Sequence, residues 1–316
     1  MHLASILFSL YQMDCIQSLK PTKLGLASEP QILKHAVIKA GHFLRRSDGF
    51  LVQRYFCKSC KVSFSAESLS PFKYQKKRHL NDLVFSLFAS GTSQRRMAKI
   101  LSVNQKTIVR KFLVLGQICT NDMKENKHLP NRKIESFIFD DMETFEHTKM
   151  KPLSITLAVE EKTRLIIDFR VSSMKAKGHL SHRARKKYGH RADDRKKNLT
   201  ELLTNTRTVT TKNPHIKSDM NPHYLLPVKK YFPQSVHAVF KGKRGCVVGQ
   251  GELKAVSFDP IFSFNHTAAM LRANINRLFR RTWNTTKKPV CLGYHLAIYI
   301  FYHNLRLIDS QCFNNN

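Results

Sequence analysis

The stretch that most constrains this chain is a β-patterned block interrupted by an acidic pair. Residues 137–149 read FIFDDMETFEHTK, and residues 153–171 read LSITLAVEEKTRLIIDFRV. Ile155, Leu157 and Val159 alternate as a half-buried strand does, residues 160–163 supply a polar turn, and residues 165–171 form a second β-rich run. With the apolar run before Asp140, this predicts three consecutive strands, the first closed by Asp140 and Asp141 at the rim of a sheet. A carboxylate in that position can hold a hard divalent cation, which takes oxygen ligands and keeps positions open for water or phosphate. An Asp-Asp pair is also an ordinary solvated strand end, so its company decides the reading.

That company is basic. Lys and Arg number 54 against 22 Asp and Glu, a net charge of +32 over 316 residues. A field of that size attracts polyanions and speeds encounter with them, which makes nucleic acid the first partner to consider. With 42% hydrophobic residues the chain can build a core, so it does not belong with disordered polycations. The longest apolar stretch, residues 294–302, is far shorter than the ~18 residues a membrane span needs. The first residues, MHLASILFSLYQM, lack a basic n-region, and the expectation is a cytoplasmic protein without membrane attachment. Seven cysteines, only Cys57 and Cys60 closely spaced, make no secreted disulfide framework.

Taken in order, residues 1–34 carry no pattern and stay unassigned. Residues 35–70 contain two β-like runs around Ser47-Asp48-Gly49, leading into Cys57-Lys-Ser-Cys60, the form of one zinc-ribbon knuckle. The upstream knuckle is missing, so Zn²⁺ there would need His35, His42 or Cys15, and a ribbon-shaped hairpin without metal is the alternative. Residues 71–120 hold a helical segment, 75–89, ended by Gly91, and then a helix-turn-helix pattern. Thr92 or Ser93 caps its first helix, Ala98 permits a close crossing, and Ile108, Phe112 and Leu115 stripe the second. The opposite face carries Gln105, Lys106, Arg110 and Lys111, side chains suited to phosphates and base edges, or simply to a solvated helix face. A polar stretch, 121–133, reads as a linker. Residues 134–308 then form the domain with the three strands, a basic loop or arm at 175–197 with ten Lys or Arg against two Asp, and Asp219 closing another short run. A helix at 224–231 follows, and the last third is mostly helical, with Arg272, Arg277, Arg280 and Arg281 on a polar side and a final helix after Pro289.

In this order the motifs VQRYFCKSCKVSFS, SQRRMAKIL, FDDMETFEHTK, SDMNPHY, GQGELK and NHTAAMLRANINRLFRRTW resemble the DDE transposases of bacterial insertion sequences. The resemblance covers residues 35–304. It implies an α/β fold, a ribonuclease H-like mixed sheet flanked by helices, behind an N-terminal ribbon and helix-turn-helix. It makes Asp140 and Asp219 the first two acids of a two-Mg²⁺ site. Partners would be terminal-repeat and target DNA, with a homo-oligomer assembled on it. The third acid departs from the pattern: Val290 stands where glutamate is expected, and Glu252 in GQGELK is the substitute. The expected activity is metal-dependent strand cleavage and transfer, in a copy whose site has decayed. The rival is a DNA-binding protein without catalysis, either a regulator or a transposase relic.

Overall fold

The computed structural model describes residues 37–241, 259–279 and 285–314. Glu252, His35, Cys15, Arg280 and Arg281 lie outside the described residues, as does the unassigned start. The chain divides into two compact units, Met1–Ser86 and Leu87–Asn316. The division falls well before the polar stretch 121–133, so the two helices read as a separate DNA-binding region belong to the larger unit.

In the first unit, β1 (Val37–Arg45) and β2 (Phe50–Cys57) form an antiparallel hairpin, and β3 (Ser63–Ser65) pairs with β2. The hairpin turns at Asp48 and Gly49, where Gly49 takes φ +67°, a left-handed value that glycine adopts without strain. A short helix, α1 (Ala66–Leu69), places Glu67 against both Arg45 and Arg78. Residues 75–77 are not helical. Lys77 sits at φ +53°, and α2 (Asn81–Ala89) begins only after a 3₁₀ turn at Arg78–Leu80.

The second unit opens with α3 (Gln94–Ile100), capped by Ser93, and α4 (Gln105–Lys124), capped by Asn104, whose carboxamide accepts from the Lys106 amide. Its sheet is mixed, in the order β6-β5-β4-β7-β8: β4 (Ile134–Phe145), β5 (Pro152–Glu160), β6 (Ile166–Ser173), β7 (Thr210–Asp219) and β8 (His237–Phe240). β5 runs antiparallel to β4 and β6, while β7 and β8 run parallel to β4. The three consecutive strands are therefore as their alternation predicts. One detail differs: β4 does not stop at Asp140. Met142 and Thr144 are buried and keep the alternation going opposite Ile155 and Leu153, so the strand runs on to Phe145.

Helices cover both faces of the sheet, which is why β5 is buried almost throughout rather than alternating. Segment 175–197 is not a simple loop but contains α5 (Leu180–Tyr188), and α6 (Arg195–Val209) starts at its end. α6 and α7 (Pro222–Tyr231) bury Leu199, Leu202, Leu203 and Val228 with Phe137, Phe139 and Ile216 of the sheet. α8 (Phe262–Asn274) lies by β4 and β5. α9 (Pro289–Asn314) is held by Asn304, whose carboxamide donates to the carbonyls of His128 and Ile166 and accepts from the Ile166 amide. No helix among the described residues is long and apolar enough to cross a membrane.

α4 packs along α9. At Gly116 an added Cβ would lie 2.4 Å from the Tyr294 Cβ, so only glycine permits this approach.

Candidate active site

β4 and β7 are adjacent and parallel, paired as Ile138↔Lys217. Continued two residues, that register sets Asp140 opposite Asp219, on strands about 4.8 Å apart. Two carboxylates from distant parts of the chain are thereby brought onto neighbouring inner strands, Asp219 at the last residue of β7.

Their electrostatics follow from this placement. Burial, and then the charge of Asp219, push the Asp140 carboxyl up to about 7, against the opposing pull of the Asp141 amide and the Tyr224 hydroxyl. Asp219 is also raised, chiefly by burial, although the Asn221 amide donates to its Oδ1 at 3.0 Å. The Tyr224 hydroxyl donates to Asp140 Oδ1 at 3.2 Å, and its ring packs on Phe139 with centroids 4.9 Å apart. Like charges held together under partial burial are a standing demand for a cation or a proton.

Asp141 stands beside the pair, and its charge is one of the causes that raise the Asp219 carboxyl. Neighbouring residues on a strand point to opposite faces. Asp141 accepts from Thr156 Oγ1 at 2.5 Å and lines a cavity of about 350 Å³ with Arg195, His223 and Tyr224. Among the described residues no three His, Cys, Asp or Glu side chains gather as a metal site. Asp140 and Asp219 supply hard oxygen donors suited to Mg²⁺, and two ligands are what the described residues offer it.

The position where the third acid is expected borders a different cavity. Val290, in the first turn of α9, is 63% exposed and borders a cavity of about 740 Å³ edged by Asp168, Arg170 and Glu201. Neither Asp140 nor Asp219 lines that cavity.

The cysteine pair is half a site. Cys57 closes β2, and its thiol is held below the usual range, first by the Cys60 amide. His42 cannot join it, because the hairpin register sets His42 opposite Gln53 and Val37 opposite Cys57.

Of the four candidate DNA-contacting side chains, Gln105, Lys106 and Arg110 are exposed on α4, whereas Lys111 is 2% exposed. Lys111 falls on the stripe of Ile108, Phe112 and Leu115 and is buried with them, so it is not on the open face. Arg277 likewise leaves the polar side and lies over the Phe112 ring, 5.5 Å from its centroid.

Sequence reasoning missed Tyr224, Thr156 and Asn221. For two of them a signal was present: Asn-Pro directly after SDM is a helix start, with Asn221 as cap and Pro222 in the first turn, which swings Tyr224 back over β4. Comparison with family models and with curated proteins finds no match for the chain.

Proposed function

We propose that the chain is a DNA strand-transferase of the DDE transposase type, built on a ribonuclease H-like sheet, with Asp140 and Asp219 as its acidic centre. The carrying observation is that these two carboxylates stand on adjacent parallel strands, with burial and the charge of Asp219 raising the Asp140 carboxyl to about 7. The mixed sheet with β5 reversed, the helices on both faces and the strongly basic surface support the same reading.

Asp140 and Asp219 would hold Mg²⁺, which when bound supplies charge stabilisation at phosphate oxygens and activates water or a 3′-hydroxyl. The chain's own contribution is placement. Tyr224 donates to one oxygen of Asp140 and leaves the other available for a ligand. The Asn221 amide fixes the Asp219 carboxylate at the turn into α7. Exposed Gln105, Lys106 and Arg110 at the start of α4 belong to DNA contact, with the α3–α4 pair acting as the helix-turn-helix, and the wider surface neutralises phosphates.

The rival, a DNA-binding relic without catalysis, is favoured by one observation: position 290 opens on a cavity that neither acid lines. A supercoiled plasmid carrying the DNA that flanks the coding region separates the two. Mg²⁺-dependent nicking by the wild type, lowered on the order of a thousandfold in Asp140→Asn and Asp219→Asn, supports the enzyme. Plasmid binding without nicking, or nicking that survives both substitutions, overturns it.

A further inference from the structure

The basic arm holds a feature that the acidic centre does not use. Between α5 and the segment that follows it lies a cavity of about 340 Å³, lined by Lys151, Lys175, Arg185, His190 and Arg191 together with the Ser181 hydroxyl. No carboxylate lines it. Of the neighbouring acids, Asp193 interacts electrostatically with Lys175, and Glu146 takes Arg191 Nη2 at 3.0 Å. That pairing leaves Arg191 Nε buried with no hydrogen-bond partner, a donor that calls for an acceptor. Lys151 Nζ is held 4.7 Å from the centroid of the Tyr188 ring, and Gly189, at φ +73°, ends α5 and lets the chain double back to bring His190 and Arg191 in.

Basic side chains, a serine and a guanidinium with an orphaned N–H around a cavity whose lining holds no carboxylate have the chemistry of a phosphate receptor. We propose that this cavity binds one backbone phosphate of nucleic acid and anchors the strand at a fixed distance from the acid pair. The assignment rests on the reading of the partner as DNA. Glu146 lies six residues beyond Asp140 along extended chain, which at about 3.4 Å per residue puts the anchor up to about 20 Å from the acids. On a duplex rising 3.4 Å per nucleotide, that is about six nucleotides from the reacting phosphate.

Lys175 and Arg185 are exposed, so replacing them leaves the core untouched. The test uses the full chain in EDTA, with a fluorescein-labelled duplex followed by anisotropy over a salt series. The variants are Lys175→Ala with Arg185→Ala and, as a charge-matched control, Lys212→Ala with Lys229→Ala, also exposed in the same unit. We expect the first pair to weaken binding about tenfold and flatten the log-log salt slope by about 1, and the control to do neither. Equal losses in both pairs mean a diffuse field and overturn the site, as does failure of the wild type to bind duplex. Vesicles containing phosphatidylserine are titrated in parallel, and a loss confined to vesicles assigns the cavity to a membrane surface and overturns the proposal. Because EDTA excludes metal chemistry, a chain that binds in this pattern but never nicks DNA keeps the anchor and loses the transferase.

Discussion

Two pairs of potential metal ligands stand in this chain, and they differ in how they are built. Cys57 and Cys60 come from a single turn at the end of one hairpin strand, with the Cys60 amide aimed at the Cys57 sulfur and no further ligand gathered among the described residues. Asp140 and Asp219 come from strands distant in sequence, are pressed together by a buried sheet, and are charged against each other. A local pair is easy to see and easy to leave incomplete. A pair made by tertiary structure cannot persist without the fold that makes it, and its strain shows in its ionisation.

The sharpest way to break that comparison is to titrate it. The Asp140 carboxyl is raised in the folded chain, so its stabilising contribution is full below about pH 4 and is lost as pH rises through about 7. For the metal-free protein this amounts to on the order of 2–4 kcal/mol across that window. Asp140→Asn should flatten this part of the thermal-melt pH profile, and Mg²⁺ should raise the wild-type Tm at pH 7.5 but not that of the variant. Identical pH profiles for the two proteins would show that the Asp140 carboxyl is not raised in the fold.

A smaller effect is expected at Tyr224. Its hydroxyl is a donor to Asp140, so Tyr224→Phe should raise the Asp140 carboxyl further and weaken Mg²⁺-dependent stabilisation by about 1 kcal/mol, the usual worth of such a hydrogen bond. The ring still packs on Phe139, so a large loss of fold stability would contradict this account.

Much of this architecture was legible in the sequence, and the limits are physical. The period-2 alternation of residues 153–171 gave β5 and β6, because a side chain's face is set by parity alone. Parity also carried β4 through Met142 and Thr144, but the two aspartates looked like an ending because charged residues rarely interrupt a strand at mid-length. Lys111 could have been read as buried, since it lies three residues after Ile108 and one before Phe112, on the apolar stripe. The resemblance alone placed Asp140 and Asp219 in one site, because nothing local to either segment specifies a parallel pairing across β5, β6, α5 and α6. The cavity beside Val290 was equally hidden, depending on how α9 is rotated against β6.

Val290 supplies the third test. Because position 290 is exposed and borders a cavity that neither acid lines, Val290→Glu should change nicking less than about twofold, the range of an exposed substitution away from the chemistry. A gain of tenfold or more would mean that the start of α9 reaches Asp140 on DNA. The smallest effect belongs to the cysteines. Replacing both Cys57 and Cys60 by Ser should shift Tm by less than about 1 °C and leave the melt insensitive to chelator, since the described residues bring together two of the four ligands a structural zinc site needs. Stoichiometric zinc by atomic absorption, lost in the variant, would reverse the contrast between the pairs.

The parallel pairing of β4 with β7 also has a temporal meaning. β4, β5 and β6 form a meander of neighbouring segments that can close on itself as soon as it leaves the ribosome, whereas β7 must first be synthesised beyond the arm and α6. Until then one edge of β4 stays open, with Phe137 and Phe139 uncovered, a template for strand pairing with other chains. Nascent or truncated forms ending before Thr210 would therefore lack Asp219 and be hazardous as solutes.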